Sequence, residues 1–165
     1  MIWKKNPADP NTYLFEINDQ PFGEIRFNAG LTTAECVFGD LRFRIAKKSF
    51  WSSTPQIMLP DASVQLTARA ADWYGSTLLL QCGTKLFRAS WRNTPLAEII
   101  IYEHDRQYPL LSVGLKTQGW RSFTQLHVRD HAHAVPELPY LLAYAWYAYL
   151  PVSKESMDDI LVLVA

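Results

Sequence analysis

Three of the four histidines of this chain fall within the stretch 127–137, HVRDHAHAVPE. Imidazole and carboxylate are the side chains that ligate divalent metals and move protons near neutral pH. On an extended segment His131 and His133 project to the same side, because strand side chains repeat every two residues. Glu137 follows four positions later. His127, His131, His133 and Glu137 are thus the candidate ligands if the chain is a small barrel metalloprotein or enzyme. A polar loop between a last strand and a following helix accounts for the same residues without any metal.

Two other constellations carry chemistry. Arg42, Arg44, Lys47 and Lys48 form a basic cluster, with Phe50 and Trp51 close behind. On a strand Arg42 and Arg44 share one face, and cations beside aromatics can hold phosphates or lipid headgroups. The plain alternative is a charged sheet face with Phe50 and Trp51 in the core. Tyr140, Tyr144 and Tyr147 stand at i, i+4 and i+7, which places three hydroxyls along one helix stripe. Buried hydroxyls need partners. The stripe can bond to backbone or buried water, line a ligand cavity, or form a subunit interface.

Little else points to catalysis. There is no Gly-x-Ser-x-Gly elbow and no glycine-rich phosphate loop. Glu103, His104 and Asp105 read as a solvated turn. Cys36 and Cys82 lie in apolar, strand-like surroundings, where a free thiol behaves as a small hydrophobe. No catalytic residue is assigned and no cofactor is implied. A binding or scaffold module is expected more than an enzyme.

Positioning these groups requires a sizeable core, and the composition supplies one. The chain has 165 residues, 48% of them hydrophobic and 13% aromatic, with a formal net charge of zero. That suits a single domain and argues against disorder. A zero net charge gives no global attraction to nucleic acid, and no nucleic-acid partner is expected. The N-terminal MIWKKNPADPN carries no apolar signal region, so a cytoplasmic location is expected.

The elements read mainly as short strands. TYLFEI (12–17) and FGEIRF (22–27) flank a polar turn, and LRFRI (41–45) alternates with a clean two-residue period. Further strands are expected over 35–38, 63–68, 76–81, 84–91, 97–102, 110–115 and 124–128, with Cys82-Gly83 as a turn. Ile99-Ile100-Ile101 predicts a strand buried on both faces, and Gly23 and Gly114 predict bulges. The count is about nine to twelve strands at near-regular spacing.

The stretch 138–153, LPYLLAYAWYAYLPVS, carries no formal charge. A helix apolar nearly all round must be buried. Its length of ~24 Å falls short of the ~30 Å hydrocarbon core of a bilayer, so a transmembrane role is not expected. Pro151 is expected to stop this helix, with 152–165 left open as helix or strand.

The fold class that follows is mainly β: a closed or nearly closed antiparallel barrel around one hydrophobic helix near the C-terminus. HAHAVPE resembles the His-x-His-x-x-x-Glu core of the cupin metal motif, although Gln125 and Tyr144 stand where cupins have glycines. Across most of its length the chain more closely resembles the tubby-like, LURP-one-related and scramblase-like barrels. YLFEINDQPFGEIRF, CVFGDLRFRI and IIIYEHDRQYPLLSV, closed by LPYLLAYAWYAYL, carry that likeness. It implies a binding module, with anionic lipid or a protein as partner.

Overall fold

The computed structural model describes residues 1–47, 54–92, 96–118 and 121–162, with the backbone alone for 118, 121, 122 and 151–162. Lys48, Phe50 and Trp51 lie outside the described residues. Among the described residues twelve antiparallel strands follow one another in chain order in a single sheet. They are β1 (Ile2–Asn6), β2 (Asp9–Ile17), β3 (Gln20–Phe27), β4 (Thr33–Phe38), β5 (Leu41–Lys47) and β6 (Pro55–Met58). There follow β7 (Val64–Ala70), β8 (Thr77–Cys82), β9 (Lys85–Arg92), β10 (Glu98–Glu103), β11 (Pro109–Gln118) and β12 (Arg121–Val128). A short 3₁₀ turn, Asp130–Ala134, leads into α1, Leu138–Val162.

The sheet curls into a nearly closed barrel, and the Leu138–Leu150 part of α1 is buried in its core. Across the seam between the first and last strands, the Trp3 indole donates to the Thr124 carbonyl at 3.0 Å. In such a meander the turns alternate between the two ends. The turns after even-numbered strands share the end where α1 begins (the proximal end), and those after odd-numbered strands lie at the distal end. Two-residue alternation sends one set of side chains to the helix: Ile25, Ile45, Ile57, Leu66, Leu80, Ile99 and Ile101 are all fully buried.

Over Leu138–Leu150 the helix is apolar nearly all round because that stretch has almost no solvent side. Tyr144, Trp146 and Tyr149 are among the largest fully buried side chains. The Trp146 ring lies 4.9 Å from Trp3, 5.4 Å from Tyr13 and 5.2 Å from Phe15. Each such burial contributes about 1.5–3 kcal/mol, before entropy is set against it. The helix starts where Leu138 N–H bonds the Val135 carbonyl and Leu141 N–H bonds that of Glu137. Pro139 fits there because first-turn N–H groups have no helical partner in any case.

Several local expectations give way. The helix does not stop at Pro151 but continues to Val162. Proline there costs one i→i−4 bond and does not forbid helix beyond it. Gly114 is not at a bulge: it pairs in register with Glu98. A Cβ at Gly114 would come within 3.0 Å of the Glu98 Cγ, so close side-chain packing explains it. The β10–β11 irregularity falls between Ile101 and Tyr102 instead. The turn read as Cys82-Gly83 is shifted by one, since Cys82 still pairs with Lys85. Strands β1 and β6 had no separate signal, the first being mostly lysine and asparagine and the second four residues opened by a proline.

Gly23 does lie beside a bulge, between Phe15 and Glu16 of the facing strand. Its lack of a side chain is needed for a further reason. A Cβ there would come within 2.1 Å of the Phe38 ring, which is itself packed against Phe15, Phe22 and Phe43.

Candidate functional site on the outer face of the barrel

The tyrosine stripe belongs to the core. Tyr147 donates to the Thr32 carbonyl at 2.5 Å and stacks on Phe27. Tyr140 packs 4.8 Å from the Phe43 ring. The Tyr144 hydroxyl is fully buried with no hydrogen-bond partner among the described residues, and burial pushes its pKa well up. The indole N–H of Trp146 is likewise unpartnered. The seam thus meets barrel backbone at Tyr147 and aromatic rings at Tyr140 and Tyr147.

The histidines are not brought together as an extended segment would place them. His131 and His133 sit in the 3₁₀ turn, where residues two apart diverge by roughly 120° around the axis. His127 stands on the outside of β12, opposite Ser112 of β11. Glu137 is engaged by the Lys85 ammonium at 2.9 Å. Among the described residues, no group of three or more His, Cys, Asp or Glu converges as a metal site would require.

Both cysteines are free and buried. Burial, with Glu35 adding to it, pushes the Cys36 thiol up. Burial and then Glu137 push Cys82 up to about 11. A thiol held protonated is a poor nucleophile.

Arg42 and Arg44 have a different setting from the tyrosines. β5 turns Phe43 and Ile45 into the core and both arginines out to solvent. Register then aligns them with charges on neighbouring strands. One cross-strand row runs Glu24, Val37, Arg42, and the next runs Arg26, Glu35, Arg44, Met58. The signs alternate along the second row. Arg44 Nε lies 3.8 Å from a Glu35 oxygen. Arg26 lies 3.8 Å from Glu24 and 3.7 Å from Asp9. Arg42 forms no ion pair among the described residues. Lys47 is exposed at the distal end of the same strand.

These rows line a shallow groove of about 680 Å³, closed proximally by Leu59, Pro60 and Ala62 of the β6–β7 loop. Arg42 and Arg44 of this groove stand out as a cluster along the chain, but Glu24, Arg26 and Glu35 do not. Those lie on other strands, and only the pairing register reveals them. Comparison of the chain with family models, with curated proteins and with solved structures gives no match.

Proposed function

We propose that this chain is a non-catalytic binding module that receives an extended segment of a partner protein in the groove over β3–β6. The observation that carries this reading is the alternation of charge across neighbouring strands at Arg26, Glu35 and Arg44, beside Arg42, which has no ion pair among the described residues. Mixed signs at strand spacing select a ligand with complementary mixed signs, and the mismatch of like charges penalises other partners. A packed helix fills the interior, which leaves the outer surface for recognition. The resemblance to tubby-like and LURP-one-related barrels is in keeping with a binding role. Anionic headgroups are the less favoured ligand at this groove, because Glu24 and Glu35 interrupt the cationic field.

The test uses fluorescent peptides of fixed length and varied charge pattern. Peptides with alternating acidic and basic residues should bind best, and Arg42→Ala with Arg44→Ala should weaken them by about tenfold or more. The swap Glu35→Arg with Arg44→Glu should change which pattern is preferred. Uniformly acidic peptides or anionic vesicles binding best, or pattern selectivity untouched by the swap, would contradict the reading.

A further inference from the structure

The β7–β8 hairpin ends in a feature that no part of the groove explains. Trp73 is 90% exposed and Tyr74 87% exposed. Their rings meet edge to face at 6.3 Å. They occupy the two central positions of a tight turn, closed by the Gly75 N–H on the Asp72 carbonyl at 3.3 Å. Gly75 takes the left-handed conformation, with φ at +67°. Asp72 then locks the turn from within: its carboxylate accepts the Ser76 N–H at 3.0 Å and the Ser76 hydroxyl at 2.8 Å. The next pair, Ala71 N–H on the Thr77 carbonyl at 2.9 Å, fixes the tip to the barrel. Central turn positions favour glycine, proline, asparagine and aspartate. Two large aromatics there contribute nothing to the turn and pack on nothing in the core.

The surroundings narrow what such a tip could meet. The hairpin projects from the distal end. At that same end Arg69, Lys47 and Lys116 are exposed and form no ion pair among the described residues. Phe123, 44% exposed, pairs directly with Lys116 on the outer face there. The one carboxylate within the tip is occupied by its own turn. The contact area argues against a second protein chain as the occupant. Trp and Tyr bury roughly 150–250 Å² each, which together falls well short of the roughly 800 Å² per partner of a stable protein interface. A bilayer surface needs no such complementary patch. It accepts amphipathic rings at headgroup depth, and nearby cations add electrostatic attraction to anionic lipid.

We propose that Trp73 and Tyr74 form a preorganised anchor that inserts the distal end of the barrel into a phospholipid interface. This is independent of the groove over β3–β6, which opens on another part of the barrel surface. Attachment by the tip leaves that groove free to hold a protein partner.

The experiment is sedimentation of the full chain with vesicles of phosphatidylcholine, alone and mixed with phosphatidylserine, at low and high salt. Trp73→Ala with Tyr74→Ala should reduce partitioning by about tenfold or more in both lipids, from the lost apolar burial. Its thermal midpoint should match the parent, because both side chains are exposed. Arg69→Ala with Lys116→Ala should remove only the salt-sensitive gain from phosphatidylserine. Parent protein that fails to sediment with either vesicle would overturn the proposal, as would equal partitioning of the aromatic double variant. A soluble dimer lost in that variant would overturn it in favour of self-association. Peptide binding in the groove should persist in the aromatic variant, so failure of one proposal is distinguishable from failure of the other.

Discussion

The inside of the barrel and its outer face over β3–β5 are built from the same strands, residue by alternate residue, yet they do different work. Inward, Phe43 and Ile45 meet a helix whose Tyr144 and Trp146 have no access to water. Outward, Arg42 and Arg44 stand in solvent among Glu24, Arg26 and Glu35. Polar groups inside are few, and among the described residues the Tyr144 hydroxyl and the Trp146 indole N–H are buried without a hydrogen-bond partner. Polar groups outside are many and pair loosely, at 3.7–3.8 Å. The difference teaches where each kind of free energy resides. Interior positions carry stability through packing, while exterior ion pairs contribute little to stability and are available for recognition.

Substitutions at the two faces should therefore separate sharply. The largest effect is expected from Tyr144→Glu, which would place an unpaired carboxylate at a fully buried site. The cost exceeds about 5 kcal/mol and should prevent folding; circular dichroism of the purified variant is the check. A folded variant of near-parental stability would mean that this part of α1 is not enclosed.

Gly23→Ala comes next. The added methyl would meet a Phe38 ring hemmed in by three other aromatics, at an expected cost of about 1–3 kcal/mol in denaturant unfolding. A neutral result would show that the ring cluster yields more readily than its packing implies.

Two conservative changes on the helix sharpen the comparison within the core. Tyr147→Phe removes the hydrogen bond to Thr32 and should cost about 0.5–1.5 kcal/mol. Tyr144→Phe removes a hydroxyl that has no partner, so its midpoint in urea should be unchanged or raised. Equal losses from both would reveal that the Tyr144 hydroxyl is satisfied after all, through a buried water. The smallest effect belongs outside. Arg44→Ala breaks a solvent-exposed pair and should shift stability by less than about 1 kcal/mol, while still weakening peptide binding in the groove.

The fold was legible in the sequence where one signal dominated. Phe43 and Ile45 alternating with Arg42 and Arg44 fixed both the strand and its faces, although Leu41 at the start of the strand is exposed. An uncharged stretch too short for a bilayer, following a run of strands, left enclosure by the sheet as its natural place. Where two signals competed, the sequence misled. Pro151 reads as a stop, but the helix passes it. His131 and His133 share a face only if the segment is extended, and a 3₁₀ turn separates them. The groove was half legible. Arg42 and Arg44 cluster along the chain, but Glu24, Arg26 and Glu35 reach them only through the register of β3, β4 and β5. The Trp73–Tyr74 tip left no periodic signal at all, because a turn has no period.

Native-state hydrogen exchange across α1 tests the central claim, that the helix fills the barrel and leaves recognition to the outside. The amides of Leu141, Leu142, Tyr144 and Trp146 should exchange only through global unfolding, as slowly as the most protected amides of β10 and β11. Exchange of those helix amides well ahead of the strands would contradict it, marking a helix that docks against the sheet and leaves.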